Sequence, residues 1–139
     1  MEYVVDASVI LKWVLGDEKE PDQIKAMQLL NAWAAGDAAI SAPTLWQYEV
    51  GNFLGREVPE EAKEKMGLLL DLKIRNVELS DNMYQLCFTW MREYRVSFYD
   101  ASYLAVAYDI QATLVTADER FVRKLGKVDH LCVLREINP

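Results

Sequence analysis

The sequence predicts a three-layer α/β/α fold around a central, mainly parallel sheet of about five strands. Three observations carry this. Short apolar runs alternate with longer stretches of helical periodicity, and strands that alternate with helices pair in parallel, with helices on both faces. The helical stretches are bounded by capping and breaking residues. The chain has 139 residues, no repeat and no linker, so it is expected to form one domain over residues 1–139, large enough to bury a core.

Taken in order, Tyr3–Val5 reads as the first strand. Ala7–Leu15 follows as a helix with Gly16 as its stop. Asp17–Glu20 is an acidic loop, and Pro21 opens a second helix that runs to about Ala35 and ends at Gly36. Ala38–Ser41 is a short second strand, after which Pro43 is expected to open a third helix reaching about Leu54. A fourth helix is expected from Pro59 to Leu72, its first turn acidic with Glu60, Glu61 and Glu64. Val77–Leu79 is the expected third strand. Ser80 or Asp81 then caps a long helix with Met83, Leu86, Cys87, Trp90, Met91 and Tyr94 on one stripe, which reads as core. An Ala-rich helix spans about Tyr99 to Ile110, and Thr113–Thr116 is the fourth strand. Asp118 caps a short helix ending at Gly126, and Leu131–Leu134 is the last strand.

Composition narrows the function classes. At 52% hydrophobic and 27% charged residues, the chain is a folded globular protein rather than a disordered one. No apolar run approaches the ~20 residues of a membrane span, and Asp6 interrupts the N-terminal apolar run, unlike a signal peptide. The expected location is the cytoplasm, with no membrane partner. Cys87 and Cys132 form neither a CxxC pair nor a zinc spacing and read as structural thiols. The single histidine, His130, supports neither a Ser-His-Asp triad nor a His-rich zinc site. The net charge of −7 disfavours bulk attraction to nucleic acid. That charge is uneven: residues 1–70 carry −6 and residues 71–139 carry −1, with Arg120, Arg123, Lys124 and Lys127 clustered late.

Four carboxylates break the local pattern. Asp6 follows the first strand and Asp118 the fourth, so a parallel sheet puts both on its carboxyl edge, where α/β folds bind ligands. Glu49 lies four residues from both Leu45 and Phe53, an acid on an apolar stripe, with Asn52 beside it. Asp100 opens the Ala-rich helix. Each has a plain structural reading: helix caps for Asp6 and Asp118, a dipole-favoured acid for Asp100, a surface acid for Glu49. If they converge, they cannot all ionise in a low dielectric without a cation. Oxygen donors without His or Cys suit Mg²⁺ or Mn²⁺, which bind substrate phosphates and activate water.

Four blocks then resemble the PIN domain family, and within it the VapC-type toxins of toxin–antitoxin pairs. They are Val5-Asp6-Ala7-Ser8, the run Pro43 to Asn52, the run Tyr99 to Ala105, and Leu114 to Asp118, in that order across essentially the whole chain. The resemblance implies a PIN-like fold and a metal-dependent endoribonuclease. It implies Asp6, Glu49, Asp100 and Asp118 as catalytic and Mg²⁺- or Mn²⁺-holding residues, supported by Ser8, Asn52 and Thr116. It further implies water attack in line on the phosphate, leaving a 5′-phosphate and a 3′-hydroxyl. Expected partners are RNA, a second copy in a homodimer, and a small antitoxin protein.

Substrate contacts are expected among Lys12, Arg92, Arg95, Arg120, Arg123 and Lys124, with a solvated face as the alternative. Trp13 and Trp46 read as packing residues, with stacking on unpaired bases as the alternative. A haloacid-dehalogenase-like phosphatase needs a second acid two residues after Asp6, where Ser8 stands. A receiver-like signalling domain wants paired acids after the first strand, where Ala7 and Ser8 stand. A metal- or nucleic-acid-binding module without turnover, and an RNA-processing PIN nuclease outside any toxin pair, stay open.

Overall fold

The structure is a computed structural model describing residues 1–16, 19 and 21–139. The loop expected over Asp17–Glu20 falls mostly outside the described residues. Five strands, β1 (Glu2–Val5), β2 (Ala39–Pro43), β3 (Arg75–Val77), β4 (Thr113–Thr116) and β5 (Leu131–Val133), form one sheet in the order β3-β2-β1-β4-β5. All four pairings are parallel, with Val5 opposite Val115 at the centre. Tyr3, Val4 and Val5 are buried in succession, the mark of a strand covered on both faces.

The chain leaves β1 through α1 (Ala7–Leu15) and α2 (Pro21–Ala34) to β2, then through α3 (Trp46–Glu57) and α4 (Ala62–Asp71) to β3. It returns through α5 (Asp81–Tyr94) and α6 (Phe98–Ile110) to β4, on the other side of β1, and reaches β5 through α7 (Glu119–Leu125). Right-handed crossovers put helices on opposite faces when the direction of travel reverses. The reversal lies between β1 and β4, and the carboxyl ends of these two strands form the switch-point crevice. Helix α6 crosses β1, β2 and β4 and is covered by α5, so every residue from Ala101 to Ala107 is buried. Its alanines let it lie close to the sheet.

Several boundaries differ from expectation, each for a local reason. Pro43 ends β2 opposite Val77 instead of opening a helix, because the last residue of a strand can forgo an N–H donor. Thr44 then donates to the Val77 carbonyl, and the helix starts at Trp46. Helix α4 begins at Ala62, not Pro59. Pro59–Glu61 form a turn closed by the Glu61 N–H on the Val58 carbonyl, so of the expected acids only Glu64 lies in the first turn. Strand β3 lies two residues earlier than expected: Ser80 must be extended to cap α5, and Leu79 packs against the core from a loop. Helix α2 stops where Gly36 takes φ +82°, a left-handed conformation that favours glycine. A 3-10 turn at Leu134–Glu136 takes over the end of the expected last strand.

Candidate active site

Asp6 leaves β1 with its N–H still donating to the Val115 carbonyl of β4, so its carboxyl emerges at the crevice. It caps α1: Oδ1 accepts the Ser8 N–H at 3.0 Å, the Val9 N–H at 3.4 Å and the Ser8 hydroxyl. The Ser8 Oγ in turn accepts the Ala117 N–H at 3.0 Å, tying the start of α1 to the end of β4. Thr116, fully buried, accepts the Asp118 N–H on Oγ1 at 3.0 Å, and its hydroxyl also favours the ionised form of Asp6. Asp118 caps α7 through Oδ1, accepting the N–H groups of Arg120 and Phe121. The plain reading of Asp6 and Asp118 as helix caps is therefore correct. A carboxylate has two oxygens, so capping leaves it able to take a second role.

Glu49 sits in the first turn of α3, beside the buried stripe of Trp46, Val50 and Leu54. It is half-buried and accepts the Tyr103 hydroxyl at 2.7 Å. Asp100 sits in the first turn of α6, where its N–H donates to the capping Ser97 Oγ at 3.0 Å. All four acids line one cavity of about 180 Å³ with Ala7, Ser8 and Tyr103. Asp6 and Asp100, from different layers of the fold, thus face the same space.

Charge in this cavity is strained. Burial pushes Asp6 from 3.8 up to about 6; the Ser8 and Thr116 hydroxyls and the Val9 N–H oppose this, and Asp100 adds to it. Burial raises Glu49, with Tyr103 opposing and Asp100 adding. Burial and the Asp118 charge raise Asp100, while Ser97 and Lys124 pull it down. Burial, then the adjacent Glu49, pushes the Tyr103 phenol far up, so it stays a proton donor at any ordinary pH.

The donor set is oxygen-only and excess-negative, the chemistry of a hard divalent cation. Among the described residues, no three acidic, His or Cys side chains make a ready-made ligand group.

Other expected residues lie elsewhere. Asn52 is exposed and lines the neighbouring groove rather than the cavity. Lys12 lines an apolar groove with Ser8, Leu11, Leu15 and Phe53. Arg123 faces a hollow beside β5. Arg92 and Arg120 are exposed, and Arg95 terminates α5 with φ 56°. Of the expected cations, Lys124 acts on the acids: it lowers Asp100 and donates to the Arg95 carbonyl at 3.3 Å. Trp46 is 1% exposed and donates to Asn76, and Trp13 donates to the Ala26 carbonyl, so both pack. His130, on the opposite edge of the sheet, bonds the Ala112 carbonyl through Nδ1. Cys87 and Cys132 are free thiols. Sequence reasoning missed Tyr103 and Ser97, and did not single out Arg56, which lines the groove beside the cavity with Glu49 and Asn52. Tyr103 had a signal, since it lies one turn along α6 from Asp100.

A parallel sheet with acids gathered at its switch point defines a class of α/β proteins, and comparison places the chain within it. The chain belongs to the PIN domain family, whose model matches residues 3–127, and to its VapC type. It is 32% identical to ribonuclease VapC1 of Mycobacterium tuberculosis, over 90% of this chain and 92% of that protein. In fold it resembles a toxin–antitoxin complex from Klebsiella pneumoniae (TM-score 0.70, 18% identity, 97% of this chain and 99% of that one). It also resembles VapC20 of M. tuberculosis, a sarcin–ricin loop cleaving toxin (TM-score 0.64, 20% identity, 91% and 97%). Among the described residues, no helix is long and apolar enough to cross a membrane.

Proposed function

We propose that the chain is a divalent-metal-dependent endoribonuclease and the toxin of a VapBC-type pair. The observation that carries this is the convergence of Asp6, Glu49, Asp100 and Asp118, from four separate segments, on one cavity at the sheet's switch point. The relationship to a protein named a ribonuclease supports RNA as the substrate. In this reading the four carboxylates hold Mg²⁺ or Mn²⁺. When bound, such an ion makes a water nucleophilic near neutral pH and offsets charge that develops on the phosphate.

The chain's own residues do the positioning. Ser8 holds the Asp6 carboxylate in one orientation, and Ser8 and Thr116 both favour its ionised form. Tyr103 does the same for Glu49, and Ser97 fixes the turn that presents Asp100. The four acids present acceptors only and repel phosphate unless cations intervene, which makes the site inert toward RNA without metal. Attack in line leaves a 5′-phosphate and a 3′-hydroxyl.

A small antitoxin and a second copy are the proposed protein partners. The fold likeness to toxin–antitoxin complexes supports the first. For the second, Tyr84 and Phe88 stand exposed on α5, with Tyr84 stacked on both Phe88 and Phe98 and Phe88 tilted against Phe98, an aromatic patch of the kind that marks interfaces.

The test is purified protein with single-stranded RNA and Mn²⁺, beside Asp6→Asn and Asp100→Asn. Cleavage by the parent that is lost by at least ~100-fold in both variants is expected. Equal cleavage by all three would sink the reading. A co-expressed neighbouring gene product that abolishes cleavage would place the enzyme in a toxin pair rather than in RNA processing.

A further inference from the structure

A second groove opens beside the acid cavity and shares Glu49 with it. It has a volume of about 400 Å³ and is lined by Tyr48, Glu49, Asn52, Phe53, Arg56 and Tyr99. Tyr48 is 78% exposed and Tyr99 59% exposed, so neither ring is packed away as Trp46 and Tyr103 are. Each of these tyrosines immediately precedes an acid of the cavity, Glu49 on α3 and Asp100 on α6. Neighbouring helix positions lie about 100° apart, so an acid aimed inward puts the preceding side chain on the rim. Tyr48, Asn52 and Arg56 are four apart on α3 and so form a single stripe: a ring, an amide, a guanidinium.

We infer that this groove is the seat of an unpaired nucleotide next to the cleaved phosphate, with Tyr48 and Tyr99 as base platforms and Arg56 on the backbone. The inference rests on the ribonuclease reading above and assigns the residues that would hold the base and backbone beside the cut. A base stacks on an aromatic ring only when its face is free. Asn52 offers both donors and an acceptor to a base edge. Arg56 supplies a cation that a phosphate requires and that none of the residues lining the acid cavity provides. The apolar groove beside Lys12, by contrast, presents among its described lining residues only the half-buried ring of Phe53.

The experiment uses short single-stranded RNAs with a known cleavage position, with the parent, Tyr48→Ala, Tyr99→Ala, Arg56→Ala and Tyr48→Phe. Each alanine variant is expected to raise KM by roughly tenfold while kcat falls less than twofold, the pattern of lost uniform binding. Tyr48→Phe keeps the ring and restores the parental KM. An abasic site placed along the substrate should raise KM at one or two positions flanking the cut and nowhere else. In the Asp6→Asn background, 2-aminopurine at those positions should be quenched on binding, and Tyr48→Ala should abolish the quenching. Circular dichroism checks that each variant folds, and an unfolded Tyr48→Ala leaves the abasic scan of the parent to decide. If the parent cleaves but abasic sites are tolerated equally everywhere, or the alanine variants keep the parental KM, the groove assignment is wrong and the nuclease reading stands. If the parent does not cleave at all, the nuclease reading itself fails.

Discussion

Asp6 is a carboxylate whose folded-state pKa lies above its ordinary value, about 6 against 3.8. The usual stabilising acid is shifted the other way. Between pH ~4 and ~6 the folded protein binds the Asp6 proton more tightly than the unfolded chain does, so this contribution to stability falls as pH rises through that window. Above pH 6 the ionised group is a standing cost in the metal-free protein. Asp6→Asn removes that charge and keeps a good N-cap. It is therefore expected to unfold at higher denaturant than the parent at pH 7 in EDTA, by roughly 1–2 kcal/mol, with the gap closing toward pH 4. Asp6→Ala loses the cap as well and should be about 1 kcal/mol less stable than Asp6→Asn. Tyr103→Phe tests the neighbouring contact. Without its hydroxyl, Glu49 protonates more readily, so the acidic limb of the rate–pH profile should move to higher pH and kcat should drop about tenfold. An unmoved profile would remove Tyr103 from the positioning set. At this scale the acids were legible because each interrupts an apolar pattern. The one signal of Tyr103, its place one turn along α6 from Asp100, was masked because an aromatic on an Ala-rich helix looks like core, and by burial it is core.

The helix N-termini carry the site, so their caps have functional weight. Ser97 caps α6 and Ser80 caps α5, both by accepting an N–H three residues on. Replacing either by alanine should cost about 1 kcal/mol in chemical denaturation. Only Ser97→Ala should also reduce RNA cleavage, because the turn it closes holds Asp100; equal activity in the two variants would contradict this. Elements with strong periodicity were legible at this scale. The α5 stripe is the clearest: Met83, Cys87 and Trp90 are buried as their spacing implies. Strand and helix edges near Pro43, Pro59 and Val77 were not. Proline opens helices and ends strands alike, and the choice at Pro43 was made by its pairing opposite Val77, a residue 34 positions away. The edge strand β3 has three residues and a partner on one side only, too little pattern to place it from sequence.

Over the whole molecule, four of the 22 acidic residues meet in one cavity. Divalent cations that bind the folded cavity and not the unfolded chain must stabilise the fold, by roughly 2.7 kcal/mol at a hundredfold excess over Kd. Differential scanning calorimetry should show Tm rising by several degrees with millimolar Mn²⁺ or Mg²⁺ beyond an ionic-strength-matched NaCl control, and not in a protein carrying Asp6→Asn and Asp100→Asn together. A rise of equal size in that double variant would place the ion elsewhere. By itself, the sequence determined the alternation of strands and helices, the α/β class that follows from it, and the four acids out of keeping with their surroundings. These are local properties, set by periodicity and by the cost of charge on an apolar face. The tertiary structure alone decided that the acids share one cavity, that Tyr103 braces Glu49, and that Arg56 rather than Arg123 stands beside the site. Those facts depend on strand order and on which helix face meets the sheet. The contacts that set them join residues as far apart as Glu49 and Tyr103, or Ser8 and Ala117, and leave no periodic trace along the chain.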